Sequence, residues 1–320
     1  MPDSQQVLPP EPNAPPPRPA NTAFRGPNGI RAGWRVLIFL AIAAGVVGLI
    51  NLVVFVVLRL LGQHAPTHPH PALLTPAIAA MSDGGILVIT GIAARFMARI
   101  EHRTWGQYGL PAASAFRGKF WIGVLIGFSS ISATLLAIFL LHGFHLDGLA
   151  IHGETILVST AAWTGAFVIV GLGEEFAFRG YLQFTLTTGI GFWPSAFLLS
   201  ALFGLAHASN SGESKFGLLS VVCFGILFCL FLRRTGNLWW AVGFHAGWDW
   251  GQTYFYGVAD SGLKPYHNLF NSSFSGPHWL TGGTVGPEAS VFTPIVLLTV
   301  GIIFNSIYRE NRYHPLGAQP

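Results

Sequence analysis

Eight apolar stretches of bilayer length divide this chain, near residues 35–59, 73–97, 119–141, 155–186, 192–209, 216–233, 237–256 and 290–308. A helix that crosses a bilayer needs about 20 mostly apolar residues. The pattern therefore predicts an all-α, polytopic membrane helix bundle of about eight transmembrane helices. The fourth stretch is long enough to tilt or protrude. Residues 1–33 precede the first, and there Pro9, Pro10, Pro12, Pro15, Pro16, Pro17 and Pro19 leave no periodic apolar face. They read as a disordered, Pro-rich tail rather than a domain or a signal peptide. A polar loop rich in Gly, Ser and Asn, 257–289, separates the last two stretches. The division that follows is 34–154 for the N-terminal helices, 155–308 for a functional core and 309–320 for a C-terminal tail.

Composition agrees with the pattern. Charged residues make up 9% of the chain, where a soluble domain carries about 25%, and the mean hydropathy is +0.52. The charges that remain set an orientation. With the N-terminus in the cytoplasm and eight alternating spans, fourteen of the 17 Lys+Arg fall on or toward the cytoplasmic side, from Arg18, Arg25, Arg31 and Arg35 to Arg309 and Arg312. Only Arg59, Lys215 and Lys264 fall outside, as the positive-inside rule requires. The net charge of +4 thus reads as topology and lipid contact, and no basic motif with interleaved aromatics points to nucleic acid. Cys223 and Cys229, six apart in one apolar stretch, read as core-filling thiols.

Against this background, three short polar clusters stand inside the apolar stretches: Glu174-Glu175 with Arg179, then His207, then His245 with Asp249. An ionisable residue near a bilayer centre costs ~2.5–3.5 kcal/mol and usually marks function. Glu175 and Arg179 are spaced i, i+4 with the acid first, the favourable order for a helical pair. Glu174 points roughly 100° away around the helix, so it is left as the unpaired carboxylate, suited to general-base or general-acid work. The plainer alternative is an ion cluster that only fixes helix packing. His245 and Asp249 also share a helix face, as a histidine oriented by its carboxylate or a ligand pair would. Taking Thr187–Gly191 as the turn between the fourth and fifth stretches, Glu174 and His207 differ in depth by roughly 5 Å. The three clusters can share one pocket.

Glu174-Glu175-x-x-x-Arg179, Phe203-x-x-x-His207 and His245-x-x-x-Asp249, in that order, resemble the signature of the CAAX protease and bacteriocin-processing (CPBP) family. These are intramembrane endopeptidases related to the type II CAAX prenyl endopeptidase. Thr235–Trp240 and Gly286-Pro287-Glu288 also resemble bacterial members. The resemblance covers roughly residues 155–305. It implies that Glu174 activates water with His207 helping to hold it, and that Glu175 and Arg179 order the site. His245 and residue 249 would then stabilise the oxyanion or bind metal. Prenyl endopeptidases typically carry asparagine where this chain has Asp249. An ionised carboxylate cannot donate to an oxyanion, which favours a divalent metal such as zinc on Glu174, His207, His245 and Asp249, or a protonated acid. No organic cofactor is implied, and the partners are the bilayer and a membrane-associated peptide or protein substrate. The expected location is a bacterial plasma membrane, with both termini cytoplasmic.

The remaining features read more blandly. Asp83, beside Gly84-Gly85, could line the cavity but reads first as a hydrogen-bonder at a helix contact. His64, His68 and His70 read as part of a solvated outer loop, and Trp248 and Trp250 as interfacial aromatics. No His-Glu-x-x-His, G-x-S-x-G or nucleotide motif occurs. Two alternatives to a protease stay open: a proton- or ion-coupled transporter that uses the same acids and histidines as a relay, and a non-catalytic membrane scaffold.

Overall fold

The computed structural model describes residues 22–26, 29–61, 73–210 and 213–315. The readings of residues 1–21 and of His64, His68 and His70 lie outside them. The helices are α1 (Ala32–Leu60), α2 (Pro76–Ile100), α3 (Gly118–Leu140), α4 (Glu154–Arg179), α5 (Tyr181–Ile190), α6 (Phe192–Ala206), α7 (Lys215–Thr235), α8 (Trp239–Asp249), α9 (His278–Thr281) and α10 (Phe292–Ile307). Among the described residues, six segments are long and apolar enough to cross a membrane: α1, α2, α3, α4 with α5, α6 with its 3-10 extension, and α7. Helix α8 continues through a π-helical turn, Trp250–Phe255, and with α10 it occupies the seventh and eighth predicted stretches. The protein is an all-α membrane bundle. Side chains such as Leu49, Phe55, Leu125, Leu298 and Ile302 stand more than half exposed on its outer face, the arrangement expected where lipid replaces water.

Two elements depart from the sequence reading. The long fourth stretch is broken at Gly180, where a Cβ would lie 2.3 Å from the Phe176 carbonyl oxygen. The chain turns there directly after Arg179 instead of protruding. The loop 257–289 is not a plain connector. Its strand Phe270–Phe274 pairs antiparallel with Phe144–Leu149, and Lys264-Pro265 pairs in parallel with Leu73-Leu74. Segments that follow α1, α3 and α8 are thereby tied together over one end of the bundle. Helix α2 runs unbroken through Gly84-Gly85.

The opposite end gathers the basic residues. Arg35 pairs with Glu101 at 2.6 Å, and Arg103 lies 3.4 Å from the same carboxylate. Lys119 donates to the Thr235 carbonyl at 2.8 Å, and the backbone of Arg312 donates to that of Arg233. This two-ended arrangement is what an even number of alternating spans produces. Arg179 leaves the topological tally, because its side chain is fully buried. With the basic end in the cytoplasm, cysteine labelling is expected to find residues 103–117 and the C-terminal tail inside, and residues 142–153 and 260–285 outside. A C-terminal tail labelled from outside would invert the arrangement.

The closest helix contact is α3 on α8. Gly123 and Gly127 of α3 face the carbonyl oxygens of Trp240 and Phe244, and Gly243 and Gly247 of α8 face those of Phe120 and Val124. A Cβ at any of the four would lie within 2.5 Å of the opposing oxygen. Both helices thus carry small residues four apart, which lets the backbones touch, the usual device for helix contact in lipid. Helix α4 is seated similarly: Gly171 lies against Val242 of α8, and Gly173 against the Asp83 backbone of α2. Glycine on both sides brings α4 close to its neighbours where the two glutamates begin. Cys223 and Cys229 are free thiols, as expected.

Candidate active site

Helix α4 presents Glu174 and Glu175 to different surroundings, as their 100° separation requires. Glu175 is fully buried and its Oε1 accepts from Arg179 Nη1 at 3.2 Å. The guanidinium lies 4.3 Å from the centre of the Phe203 ring, a cation–π contact that offsets part of its burial cost. Gly225 of α7 leaves the slot it occupies: a Cβ there would lie 2.6 Å from Arg179 Nη2. The pair is a sealed strut joining α4, α6 and α7.

Glu174 instead faces a cavity of about 330 Å³. Its side chain is 17% exposed and is not unpaired as the sequence suggested. Oε2 lies 3.4 Å from His245 Nε2, and Oε1 lies 3.9 Å from His207 Nε2. Both imidazoles are held from behind. His245 Nδ1 bonds Glu175 Oε1 at 3.1 Å, and His207 Nδ1 bonds the Phe203 carbonyl at 2.9 Å. An Nδ1 against an acceptor carries the proton, so each ring is fixed in orientation with Nε2 toward Glu174. The acceptor for His207 comes from the i−4 residue of its own helix, which explains the Phe203-x-x-x-His207 spacing. Phe228 stacks on His245 at 5.5 Å between ring centres.

Asp249 lies one turn beyond His245, with Oδ2 3.4 Å from the same Nε2. The three sequence clusters therefore form one constellation: Glu174, Glu175, Arg179, His207, His245 and Asp249 are linked by contacts of 3.9 Å or less. Trp248 is not interfacial. It is 1% exposed in the core and donates to Gln252 at 2.8 Å.

The structure brings three further acids to the cavity, of which the sequence reading had weighed only Asp83. Asp83 does stand at a helix contact, its backbone and Cβ against Gly173 of α4, and it also lines the cavity. Asp260 and Glu288 arrive from the loop after α8 and line the cavity with Ser261. Thr253, on the π-helical turn, donates to Asp260 at 2.8 Å, and the Ser261 amide and hydroxyl both donate to Glu288 Oε2 at 3.0 Å. Burial raises the Asp260 carboxyl above its usual range and pushes that of Glu288 up to about 8. Donor oxygens of Asp249, Asp260 and Glu288 lie within 4.8 Å of one another. The apolar walls come from residues such as Phe167, Val170, Phe178, Phe224 and Leu263.

Residues 156–251 match the family model described as type II CAAX prenyl endopeptidase, Rce1-like. That stretch runs from the first turn of α4 to just past Asp249 and so holds all six sequence-identified site residues. The resemblance to the CAAX protease family is borne out there, and it supports a CAAX-type protease within the membrane. No curated protein matches the chain. Asp83, Asp260 and Glu288 lie outside the Rce1-like stretch.

Proposed function

We propose that this protein is an intramembrane endopeptidase in which Glu174 activates the hydrolytic water. The observation that carries the reading is the Glu174 carboxylate itself, open to the cavity and faced by two oriented imidazoles. Water held between Glu174 and the Nε2 atoms attacks the scissile carbonyl, and Glu174 takes its proton. The same proton passes to the leaving amine as the C–N bond breaks, which restores the carboxylate. A charged Nε2–H of His245 or His207 stabilises the developing oxyanion. Glu175 and Arg179 hold His245 and α4 in place and touch no substrate. The substrate is a membrane-associated peptide or protein, and the protein resides in a bacterial plasma membrane with both termini cytoplasmic. Cleavage of a peptide library by purified protein in detergent, compared with ion-driven flux in proteoliposomes, tests the protease reading against a transporter.

A divalent cation is the second reading, favoured by the anchored Nδ1 atoms, which leave both Nε2 atoms as donors in the manner of metal-bound histidines. Glu174, His207, His245 and Asp249 would hold it, and bound there it would supply Lewis-acid activation of water. The donor types suit zinc. The donors grouped within 4.8 Å, however, are Asp249, Asp260 and Glu288, an all-oxygen set suited to harder cations. The metal-free reading is therefore preferred, and Asp249 decides between them. If residue 249 serves an oxyanion, Asp249→Asn supplies a donor and keeps or gains activity in EDTA, which is the expected result. Loss of activity that zinc restores, together with stoichiometric zinc in the wild type, would establish the metal instead.

A further inference from the structure

Among the described residues, five carboxylates line the cavity, those of Asp83, Glu174, Asp249, Asp260 and Glu288, and no Lys or Arg does. The nearest arginine, Arg179, is sealed behind Glu175. His207 and His245 are the cavity's basic groups. Even with both imidazoles charged, three carboxylates stay without a counter-charge. The acids on the loop side are held by neutral groups only: Asp260 by a threonine hydroxyl, and Glu288 by a serine amide and hydroxyl. Asp249, 6% exposed, accepts no hydrogen bond among the described residues, and its one contact is His245 at 3.4 Å. Glu288, 7% exposed, uses Oε2 alone. Buried carboxylates with free acceptor capacity are costly unless a cation or a proton meets them.

We propose that the substrate supplies that cation: the enzyme prefers a peptide with a Lys or Arg side chain beside the scissile bond, seated against Asp260 and Glu288. The proposal rests on the protease reading and names its substrate class. The apolar walls suit the membrane-embedded part of such a peptide, and the carboxylates suit the basic residue that commonly borders a membrane segment. The same field disfavours a free C-terminal carboxylate near the cut, because a like charge would enter with no counter-ion. Ionisation of Asp260 and Glu288, opposed by burial, becomes favourable once an ammonium or guanidinium sits between them.

The test uses fluorogenic peptides with an apolar core that differ at one scanned position, Lys against norleucine, each as C-terminal amide and free acid. All assays contain EDTA. Wild type is expected to favour Lys over norleucine by at least about tenfold in kcat/KM, and the amide over the acid. The Lys/norleucine ratio should fall toward one in Asp260→Asn and in Glu288→Gln. Butylammonium should inhibit wild type more strongly than butanol, which needs no variant to fold. Binding of the same peptides to Glu174→Gln separates the two readings. If Lys peptides bind best but wild type cuts none of them, the protease reading falls and the cation site stands. Cleavage with a ratio near one, or with the free acid preferred, would overturn the inference and leave the protease. An enzyme inactive in EDTA and restored by a divalent metal would also overturn it, by assigning these carboxylates to the metal.

Discussion

Replacing Glu174 by glutamine is expected to abolish peptide cleavage while the protein still folds, inserts and binds substrate. Glutamine keeps the volume of the side chain and its place between the two Nε2 atoms, 3.4 and 3.9 Å away. It cannot accept the proton that water must lose. A positioned general base contributes roughly 10²–10⁴-fold, so turnover should fall by about that factor or below detection. Glu174 is part-exposed and sits outside the sealed Glu175–Arg179 pair, so thermal stability should change little. The contrast with its neighbours makes the result diagnostic. Arg179→Ala leaves Glu175 buried with His245 as its remaining partner, and breaking a buried pair costs roughly 3–5 kcal/mol. That variant should accumulate poorly as well as lose activity. Wild-type cleavage rates from a well-folded Glu174→Gln protein would remove Glu174 from the mechanism.

The membrane spans were legible because a bilayer imposes a length: each apolar run became a helix or a helix with a short extension, except the fourth, which became α4 and α5. The six site residues were legible because i, i+4 spacing fixes a shared helix face before any tertiary contact is known. Asp260 and Glu288 were not. They belong to a loop whose path over the bundle is set by strand pairings far away in sequence, Phe270–Phe274 on Phe144–Leu149 and Lys264-Pro265 on Leu73-Leu74. Two faint signals existed. Gly286-Pro287-Glu288 stood out as a motif, and the chain holds only 13 Asp+Glu in total, so each is conspicuous. The turn at Gly180 could not be foreseen, since the Thr187–Gly191 turn gave the stronger stop signal. The spacing Gly123-x-x-x-Gly127 and Gly243-x-x-x-Gly247 was readable as a helix-contact pattern but acquires meaning only once α3 and α8 are known to be neighbours.

That contact is the most sensitive point in the fold, and Gly243→Ala is expected to destabilise the protein and disarm the site together. A helical Gly→Ala change in open surroundings gains about 1 kcal/mol of helix propensity. At Gly243 the new Cβ would lie 2.1 Å from the Phe120 carbonyl oxygen. The obstacle is backbone, which cannot rotate away as a side chain could, so α3 and α8 must separate. Overpacking of this kind costs roughly 1–3 kcal/mol, sometimes more, and outweighs the propensity gain. Gly127→Ala and Gly247→Ala, with obstacles at 2.1 and 2.2 Å, should behave alike. Helix α8 also carries His245 two residues on and Asp249 six residues on. Moving it therefore disturbs the His245–Glu174 geometry, and kcat should fall along with the melting temperature. Gly165→Ala in α4 and Gly48→Ala in α1, where a Cβ meets nothing within 4 Å, supply the control: both should melt at or slightly above the wild-type temperature with full activity. Thermal unfolding in detergent, followed by circular dichroism and paired with cleavage rates, reads both effects. If Gly243→Ala melts as high as Gly165→Ala and cleaves as fast, α3 and α8 do not pack backbone to backbone, and the glycines have some other purpose.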